Sequence, residues 1–239
     1  MAIFLKAKWE NIIMANYAVD AALLQPYLPK GVELDMRNGK AVVSLVGFMF
    51  KNSKLFNIPI PYLGTFEEIN LRFYVIRKDG DEIKRGVVFI NETVPYKIVA
   101  WLANVLYNES YSCVPTRHTH TSNAINKQLT YQWRTNNKWN TIHVEATNQS
   151  TAIPANSDEE FIYEHYYGYA KVSDTVTEEY KINHPSWNIN KVVNYSIDCD
   201  FKAMYGNEFE FLTNTLPSSV FIAEGSAISV NWKRTKIVQ

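Results

Sequence analysis

Paired cysteines, net charge and long apolar runs are all lacking in this sequence of 239 residues. The two cysteines, Cys113 and Cys199, are far apart and form no Cys-x-x-Cys pattern, which suits reduced thiols and argues against a zinc ribbon. The 24 basic and 24 acidic residues cancel, so nothing in the charge balance implies nucleic acid or an anionic lipid surface as a partner. Small molecules or protein partners fit better, and self-association into a homo-oligomer is left open.

Segments that would imply a membrane, secretion or a known cofactor are also missing. The longest apolar runs, residues 41–50 and 219–230, are interrupted by Ser, Gly or Glu and fall short of the roughly 20 residues of a membrane helix. The first residues show no secretion signal, which predicts a cytoplasmic location. No linker divides the chain, so one domain over residues 1–239 is predicted. Nucleotide, metalloprotease and serine-hydrolase motifs are absent, and no cofactor is predicted.

The most informative stretch, residues 65–111, predicts a strand, a turn, a second strand and a short helix. The Asp79-Gly80 pair predicts the turn. The return strand, residues 86–90, is apolar on both faces, so the polar face of its partner is expected to point into an enclosed space. That space is the candidate ligand site. Four polar side chains of the first strand alternate with apolar ones and would share this face: Glu68, Asn70, Arg72 and Tyr74.

Caps and turns predict the elements on either side of this stretch. Asp20 is a good N-cap for a short helix. The Asn-Gly pair at residues 38–39 predicts a hairpin between residues 32–34 and 41–50. Pro95 is expected in the first turn of the helix that follows the central strands.

The second half of the chain predicts more antiparallel strands. Residues 112–148 alternate between turns, as in a meander. Ser157 opens a capping box for a helix through His165, and a buried strand over residues 219–232 closes the chain. The predicted fold class is therefore α+β, mainly antiparallel β, with a closed or nearly closed sheet and a few short helices.

Six phrases of the chain carry a resemblance to known proteins: NYAVDAALLQPYLPKGVELD, SLVGFMF, TFEEINLRFYV, GVVFINETVP, EHYYGYA and SSVFIAEGSAISV. They resemble those of the YqjF-like bacterial domains of unknown function, and the match runs over nearly the full length. That family is similar in turn to acetoacetate decarboxylase, so the resemblance implies a curved antiparallel sheet around a cone-like barrel with a central cavity. No activity is implied by the closer relationship.

The resemblance also bears on catalysis. Acetoacetate decarboxylase forms a Schiff base through the first of two adjacent lysines that follow a proline near the start of a helix. In the matching segment here, Tyr96 replaces that nucleophile and Lys97 takes the place of the second lysine. A phenol cannot form an imine with a ketone, so the Schiff-base pair is missing. Lys97 and Tyr96 remain the candidate catalytic residues, with a surface lysine and an interface tyrosine as the alternatives.

The polar face of the central strand needs a partner, because Glu68 and Arg72 lie four residues apart, about 13 Å along a strand. Glu224 stands inside an apolar run, and a buried carboxylate there would need a cation. We therefore predict one buried cluster of Glu68, Arg72 and Glu224. Its alternative role is an ion pair that fixes strand register and does no chemistry.

His118 and His120 share a face of a predicted strand, which is half of a metal site, but no third ligand is evident by spacing and no metal is predicted. Three functions remain. The first is a cavity protein that binds a small carbonyl or carboxylate compound, with Glu68, Asn70, Arg72, Tyr74 and Glu224 as ligand-binding residues. The second is a keto-acid lyase or decarboxylase that uses Lys97. The third is a structural or interaction module with a filled cavity.

Overall fold

The computed structural model describes residues 3–238. The helices are short: α1 (Ala21–Leu24), α2 (Lys97–Tyr107), α3 (Asp158–Tyr163) and α4 (Phe201–Tyr205), with 3₁₀ turns at Gln25–Tyr27 and Asn207–Asn214. The strands are β1 (Ile3–Val19), β2 (Glu33–Leu34), β3 (Ala41–Leu55), β4 (Ile58–Pro59), β5 (Phe66–Asp79), β6 (Glu82–Val94), β7 (Tyr111–Cys113), β8 (Thr116–Ser122), β9 (Asn126–Thr135), β10 (Lys138–Ala152), β11 (Tyr167–Lys171), β12 (Val176–Asn183), β13 (Asn188–Asp198), β14 (Ser219–Ala223), β15 (Ala227–Asn231) and β16 (Thr235–Val238).

The strands form one continuous sheet that closes on itself. A ring of pairings runs β1–β3–β5–β6–β11–β12–β15 and returns to β1. Its only parallel step joins β6 to β11 among the described strands. From the second half of β1 the sheet continues as a second layer through β14, β13, β10, β9 and β8. The predicted fold class, mainly antiparallel β with a few short helices, is confirmed.

Alternation along β5 separates two apolar cores. Ile69, Leu71 and Phe73 are fully buried between the ring and the second layer, where they join Trp133 and Phe201. The opposite face of β5 points into the ring. Aromatic side chains from β3, β5, β12, helix α2 and the segment before β13 pack in that interior: Phe48, Phe50, Phe66, Tyr180, Tyr107 and Trp187. The two cores follow from the two-residue period of a strand.

Several predicted local signals are confirmed. Asp20 caps α1, because its Oδ1 accepts a hydrogen bond from the Ala22 backbone N–H at 2.8 Å. Ser157 caps α3 by accepting from the Glu160 N–H at 3.1 Å. The helix ends at Tyr163, two residues before the predicted end. The central hairpin of β5 and β6 turns at Gly80, where φ is +63°.

The predicted hairpin between residues 32–34 and 41–50 is wrong. The turn itself forms, with positive φ at Asn38 and Gly39, but only the bridge from Arg37 to Lys40 pairs across it. Strand β2 instead pairs with β5, and β3 lies between β1 and β5. A good turn signal fixes the local reversal, while burial of the long apolar β3 between two long strands decides the pairing.

The closing strand of residues 219–232 is likewise not continuous. It forms β14 and β15, which pair with successive parts of β1. Gly225 lies between them with φ +80°, and a Cβ there would be 2.1 Å from the Trp9 carbonyl oxygen. Only glycine fits this close approach, and the chain kinks at this point.

Helix α2 follows β6 in the chain, and after the helix the chain returns to pair β7 in parallel with β6. Tyr96 is its N-cap residue, so Pro95 precedes the helix instead of occupying its first turn. Asn108 ends it in the left-handed conformation, with φ +53°. Among residues 3–238, none of the helices combines the length and apolar character needed to cross a membrane.

Candidate functional site

A pocket of about 170 Å³ lies inside the ring. Helix α2 contributes Val99 and Leu102 to one wall, and β1, β3, β5 and β6 contribute most of the rest. Its surface is mainly aromatic and aliphatic, including Phe48, Phe89 and Trp187. An engineered apolar cavity of about 150 Å³ in another protein holds benzene, so this volume suits a ligand of roughly six to eight non-hydrogen atoms.

The polar part of the pocket begins on β5. Glu68, Asn70 and Arg72 all line it, as the strand alternation predicts. Glu68 is 3% exposed, and both of its carboxylate oxygens have donors. Asn70 Nδ2 donates to Oε1 at 3.1 Å, and the Tyr111 hydroxyl, from β7, donates to Oε2 at 3.1 Å. Glu68 is therefore held rigidly at the pocket wall.

Two further glutamates line the same pocket. Glu92 stands directly across from Asn70 in the β5–β6 ladder and is 3% exposed. Its Oε2 is buried and has no hydrogen-bond partner among the described residues. Glu109 follows the C-terminal end of α2 and accepts a hydrogen bond from the Tyr180 hydroxyl at 2.5 Å. We call Glu68, Glu92, Glu109 and Tyr111 the pocket cluster.

Burial governs the ionisation of the pocket cluster. Loss of water raises the pKa of Glu68 and of Glu109 to about 7, although their hydrogen-bond donors oppose the shift. Loss of water, together with the charges of Glu109 and Glu68, raises the pKa of Glu92 well above its usual range. The charge of Arg72 lowers the pKa of both Glu68 and Glu92 but does not cancel these effects. The cluster therefore retains protons near neutral pH.

Arg72 is the cation of this pocket, and it lacks an acidic partner. No carboxylate oxygen of residues 3–238 lies within 4.0 Å of its guanidinium nitrogens, and its buried Nε has no hydrogen-bond acceptor. Its Nη2 is 4.0 Å from the Met14 sulfur, and its Cζ lies 5.7 Å from the centre of the Tyr74 ring. A half-buried guanidinium without an anion is a ready site for a carboxylate.

The family model of DUF2071, described as an uncharacterized conserved protein, matches residues 6–227. The chain belongs to the DUF2071 family. It is 30% identical over 108 residues to the uncharacterized protein YqjF of Bacillus subtilis, and this match covers 45% of the chain and 43% of that protein. The chain therefore matches less than half the length of this curated relative.

Solved structures with the same fold come from enzymes. Acetoacetate decarboxylase of Legionella pneumophila has a TM-score of 0.67 at 10% identity, with 100% of this chain and 88% of that one covered. The enduracididine biosynthesis enzyme MppR in complex with pyruvate has a TM-score of 0.65 at 9% identity, covering 99% and 91%. An acetoacetate decarboxylase-like enzyme from Sphingomonas wittichii has a TM-score of 0.64 at 11% identity, covering 100% and 95%. At these identities the likeness shows the fold.

The remaining predicted site residues of this DUF2071 chain lie outside the pocket lining. Tyr74 continues the polar face of β5 but points away from the pocket to the Ser44 hydroxyl, 2.7 Å from its own. The Tyr96 ring packs edge-on against Phe66, with centroids 5.9 Å apart. Lys97 is exposed at the first position of α2.

The prediction of a buried cluster containing Glu224 is wrong. Glu224 is exposed, because the kink at Gly225 turns it outward between β14 and β15. Buried Glu92 and half-buried Glu109 supply the acidic groups of the pocket instead, and sequence reasoning missed both. The one available signal was Glu92 itself, a charged residue two positions after the apolar run of residues 86–90.

Metal chemistry receives no support from side-chain placement. Within residues 3–238, no group of three or more His, Cys, Asp or Glu side chains is arranged to hold a metal ion. His118 and His120 have ring centroids 4.8 Å apart, and the Nδ1 of His118 contacts the Glu67 carboxylate, on the opposite face of β5 from the pocket. What the pocket can offer chemically is a guanidinium, carboxyl groups that hold protons, and a hydroxyl.

Proposed function

We propose that this protein binds a small carbonyl or carboxylate compound in the pocket, without a Schiff-base lysine pair. The observation that carries the proposal is the unpaired guanidinium of Arg72 beside buried carboxyl groups in an open volume of about 170 Å³. Arg72 would hold the carboxylate of the ligand through charge-assisted hydrogen bonds. The neutral form of Glu92 would donate a hydrogen bond to a carbonyl oxygen.

The balance of lining groups limits the ligand class further. The pocket lining contains one cation, Arg72, and three acidic side chains. A second carboxylate on the ligand would therefore have no cation to pair with and would be repelled by the glutamates. The apolar wall suits a short aliphatic remainder. Short monocarboxylic oxo acids such as pyruvate, 2-oxobutanoate and acetoacetate match the size and the polarity. The structure of MppR with pyruvate supports the choice of this class for a first panel.

Calorimetric titration of these oxo acids tests the proposal. We expect binding by the wild type, weaker binding of 2-butanone, which lacks the carboxylate, and a loss of about 10- to 100-fold in affinity for Arg72→Met. Arg134→Met, at an exposed arginine of β9, is the matched control and should bind like the wild type. Equal affinities of Arg72→Met and Arg134→Met, or no binding of any oxo acid, would contradict the proposal.

A further inference from the structure

The carboxyl groups of Glu68 and Glu92 form a pair. Glu92 faces Asn70 across the ladder, and Asn70 Nδ2 donates to Glu68 Oε1, so the same amide lies beside both acids. The two carboxyl groups are close enough to hydrogen-bond once one of them carries a proton. The Oε2 of Glu92 remains buried without a partner in the pocket wall. One acid is thus fully hydrogen-bonded, and the other has a buried oxygen without a partner beside the pocket.

The charge of Glu68 contributes to raising the pKa of its buried neighbour Glu92, so ionisation of one acid disfavours ionisation of the other and the pair holds one proton between them. Asn70 donates to Glu68, and the Tyr111 hydroxyl donates to Glu68 at 3.1 Å while also lying near Glu92, so charge is better stabilised on Glu68, which makes Glu68 the base and Glu92 the acid. The polar and titratable groups that face the pair from the surrounding elements are Arg72 of β5, Glu109 after α2, Tyr111 of β7 and Tyr180 of β12. None of them is a lysine or a histidine, so the proton stays among carboxyl groups.

Space for a ligand separates this pair from Arg72. The charge of Arg72 acts on both acids, yet no carboxylate oxygen of the described chain lies within 4.0 Å of its guanidinium. Glu68 and Arg72 lie four residues apart on one face of β5, about 13 Å along the strand, and Glu92 stands across the ladder from Asn70, midway between them. A short oxo acid whose carboxylate binds Arg72 therefore extends toward the pair, and the long side chains of Arg72 and Glu68 span the remaining distance.

We propose that the Glu68–Glu92 pair catalyses enolisation of a bound short 2-oxo acid. The inference rests on the proposed binding function and adds a reaction to it. Glu68 takes a proton from the carbon next to the ketone, and the electrons of that C–H bond form the carbon–carbon double bond of the enol. The ketone oxygen takes the proton of Glu92. The pair ends with one proton, as it began, and the reverse reaction restores the ketone with hydrogen from solvent.

Exchange of hydrogen for deuterium measures this reaction directly. In D₂O, proton NMR of 2-oxobutanoate follows loss of the methylene signal and the collapse of the methyl triplet. We expect the wild type to accelerate exchange above the buffer rate. Glu92→Gln should slow the protein-dependent rate by about 100-fold or more, the usual contribution of a general acid or base. Its affinity for 2-oxobutanoate, measured by calorimetry, should remain within about threefold of the wild type.

Glu82→Gln is the matched control, because Glu82 lies exposed on the same strand and should leave the exchange rate unchanged. If Glu92→Gln fails to fold, Glu68→Gln gives a second route to the same test, and it should slow the protein-dependent exchange by about 100-fold or more as well. Binding without accelerated exchange would overturn the catalytic inference and leave the binding function intact. So would wild-type rates in both glutamine variants. Absence of 2-oxobutanoate binding would overturn both proposals together.

Discussion

Two groups of polar side chains pack against the same face of β5, and they differ in their balance of acidic and basic residues. The pocket cluster has three glutamates and a buried carboxylate oxygen without a partner. Beyond Arg72, the same face meets a second group, which we call the paired network: Asp35, Arg85, His165, Tyr74 and Ser44. Here Asp35 accepts from Arg85 at 2.8 Å and bonds His165 at 3.1 Å.

The acid of the paired network has two donors, although the Nδ1 of His165 is buried without a hydrogen-bond partner among the described residues. Arg85 and His165 hold the pKa of Asp35 below its usual range against the cost of burial, and burial lowers the pKa of His165 to about 4. The Tyr74 hydroxyl donates to Ser44, and Ser44 donates to Asn16 at 2.6 Å. In the pocket, by contrast, the Oε2 of Glu92 and the Nε of Arg72 are both buried without partners among the described residues. Matched charges fix a fold, whereas an unmatched set beside an open volume indicates a ligand.

The largest expected effect is the loss of the paired network's acid. Asp35→Ala should lower the free energy of unfolding by about 2 kcal/mol, because it leaves Arg85 and the buried His165 without their shared anion. The figure is below that for a fully buried pair because the Arg85 side chain is 32% exposed. Urea denaturation at pH 7 measures it.

Glu33→Ala is the control for that change. Glu33 pairs with Lys78, and both side chains are more than half exposed, so a loss below about 0.5 kcal/mol is expected. Equal losses for Asp35→Ala and Glu33→Ala would show that the paired network contributes no more to stability than a surface pair.

The stability contributed by the pocket cluster should change with pH in the opposite direction to that contributed by Asp35. Glu68, Glu92 and Glu109 have pKa values raised in the folded state, so their favourable contribution is complete at acid pH and is lost as pH rises through about 7. His120, His165 and His184, with pKa values lowered to about 4, act in the reverse direction, but only below about pH 6.5. Above that pH the carboxyl groups act alone.

Stability should therefore fall by about 1–2 kcal/mol between pH 6.5 and pH 8. Urea midpoints across this range measure the fall, and Glu92→Gln should flatten it because glutamine cannot ionise. Glu82→Gln should retain the wild-type slope. A wild-type midpoint that rises over this range, or the same slope in Glu92→Gln, would show that the pocket cluster does not hold its protons.

The contrast between the two groups also explains what the sequence could predict. Alternation along β5 predicts a shared polar face, and Glu68, Asn70 and Arg72 do line the pocket together. That pattern cannot show where Tyr74 leaves the pocket, because His165 and Ser44 arrive from distant segments. The approach of Glu92 to Asn70 depends on the ladder register, which includes an irregularity between Leu71 and Arg72. The spacing of side chains along one strand does not predict this irregularity.

Glu224 shows the converse failure. Its apolar neighbours predicted burial, but a single positive-φ glycine turns the chain and exposes it. Local composition indicates the average environment of a segment, whereas a kink decides the environment of one residue. The fold class needs only the average, and its prediction was confirmed. Prediction of the acidic residues in the site requires the position of each side chain. Glu109 follows α2, and the sequence of that helix does not show how the helix is oriented relative to the sheet.

The smallest expected effect is at Lys97, which lies outside both polar groups. The amine is exposed, and the pocket lining within residues 3–238 contains no lysine, so a ligand held at Arg72 is out of its reach. Imine formation requires an amine within bonding distance of the ketone. After incubation with acetoacetate and borohydride, mass spectrometry should therefore find Lys97 modified no faster than exposed Lys54, and Lys97→Met should leave affinity for oxo acids unchanged. Selective reduction onto Lys97, abolished in Lys97→Met, would move the chemistry from the pocket cluster to the start of α2 and favour a lyase with a covalent intermediate.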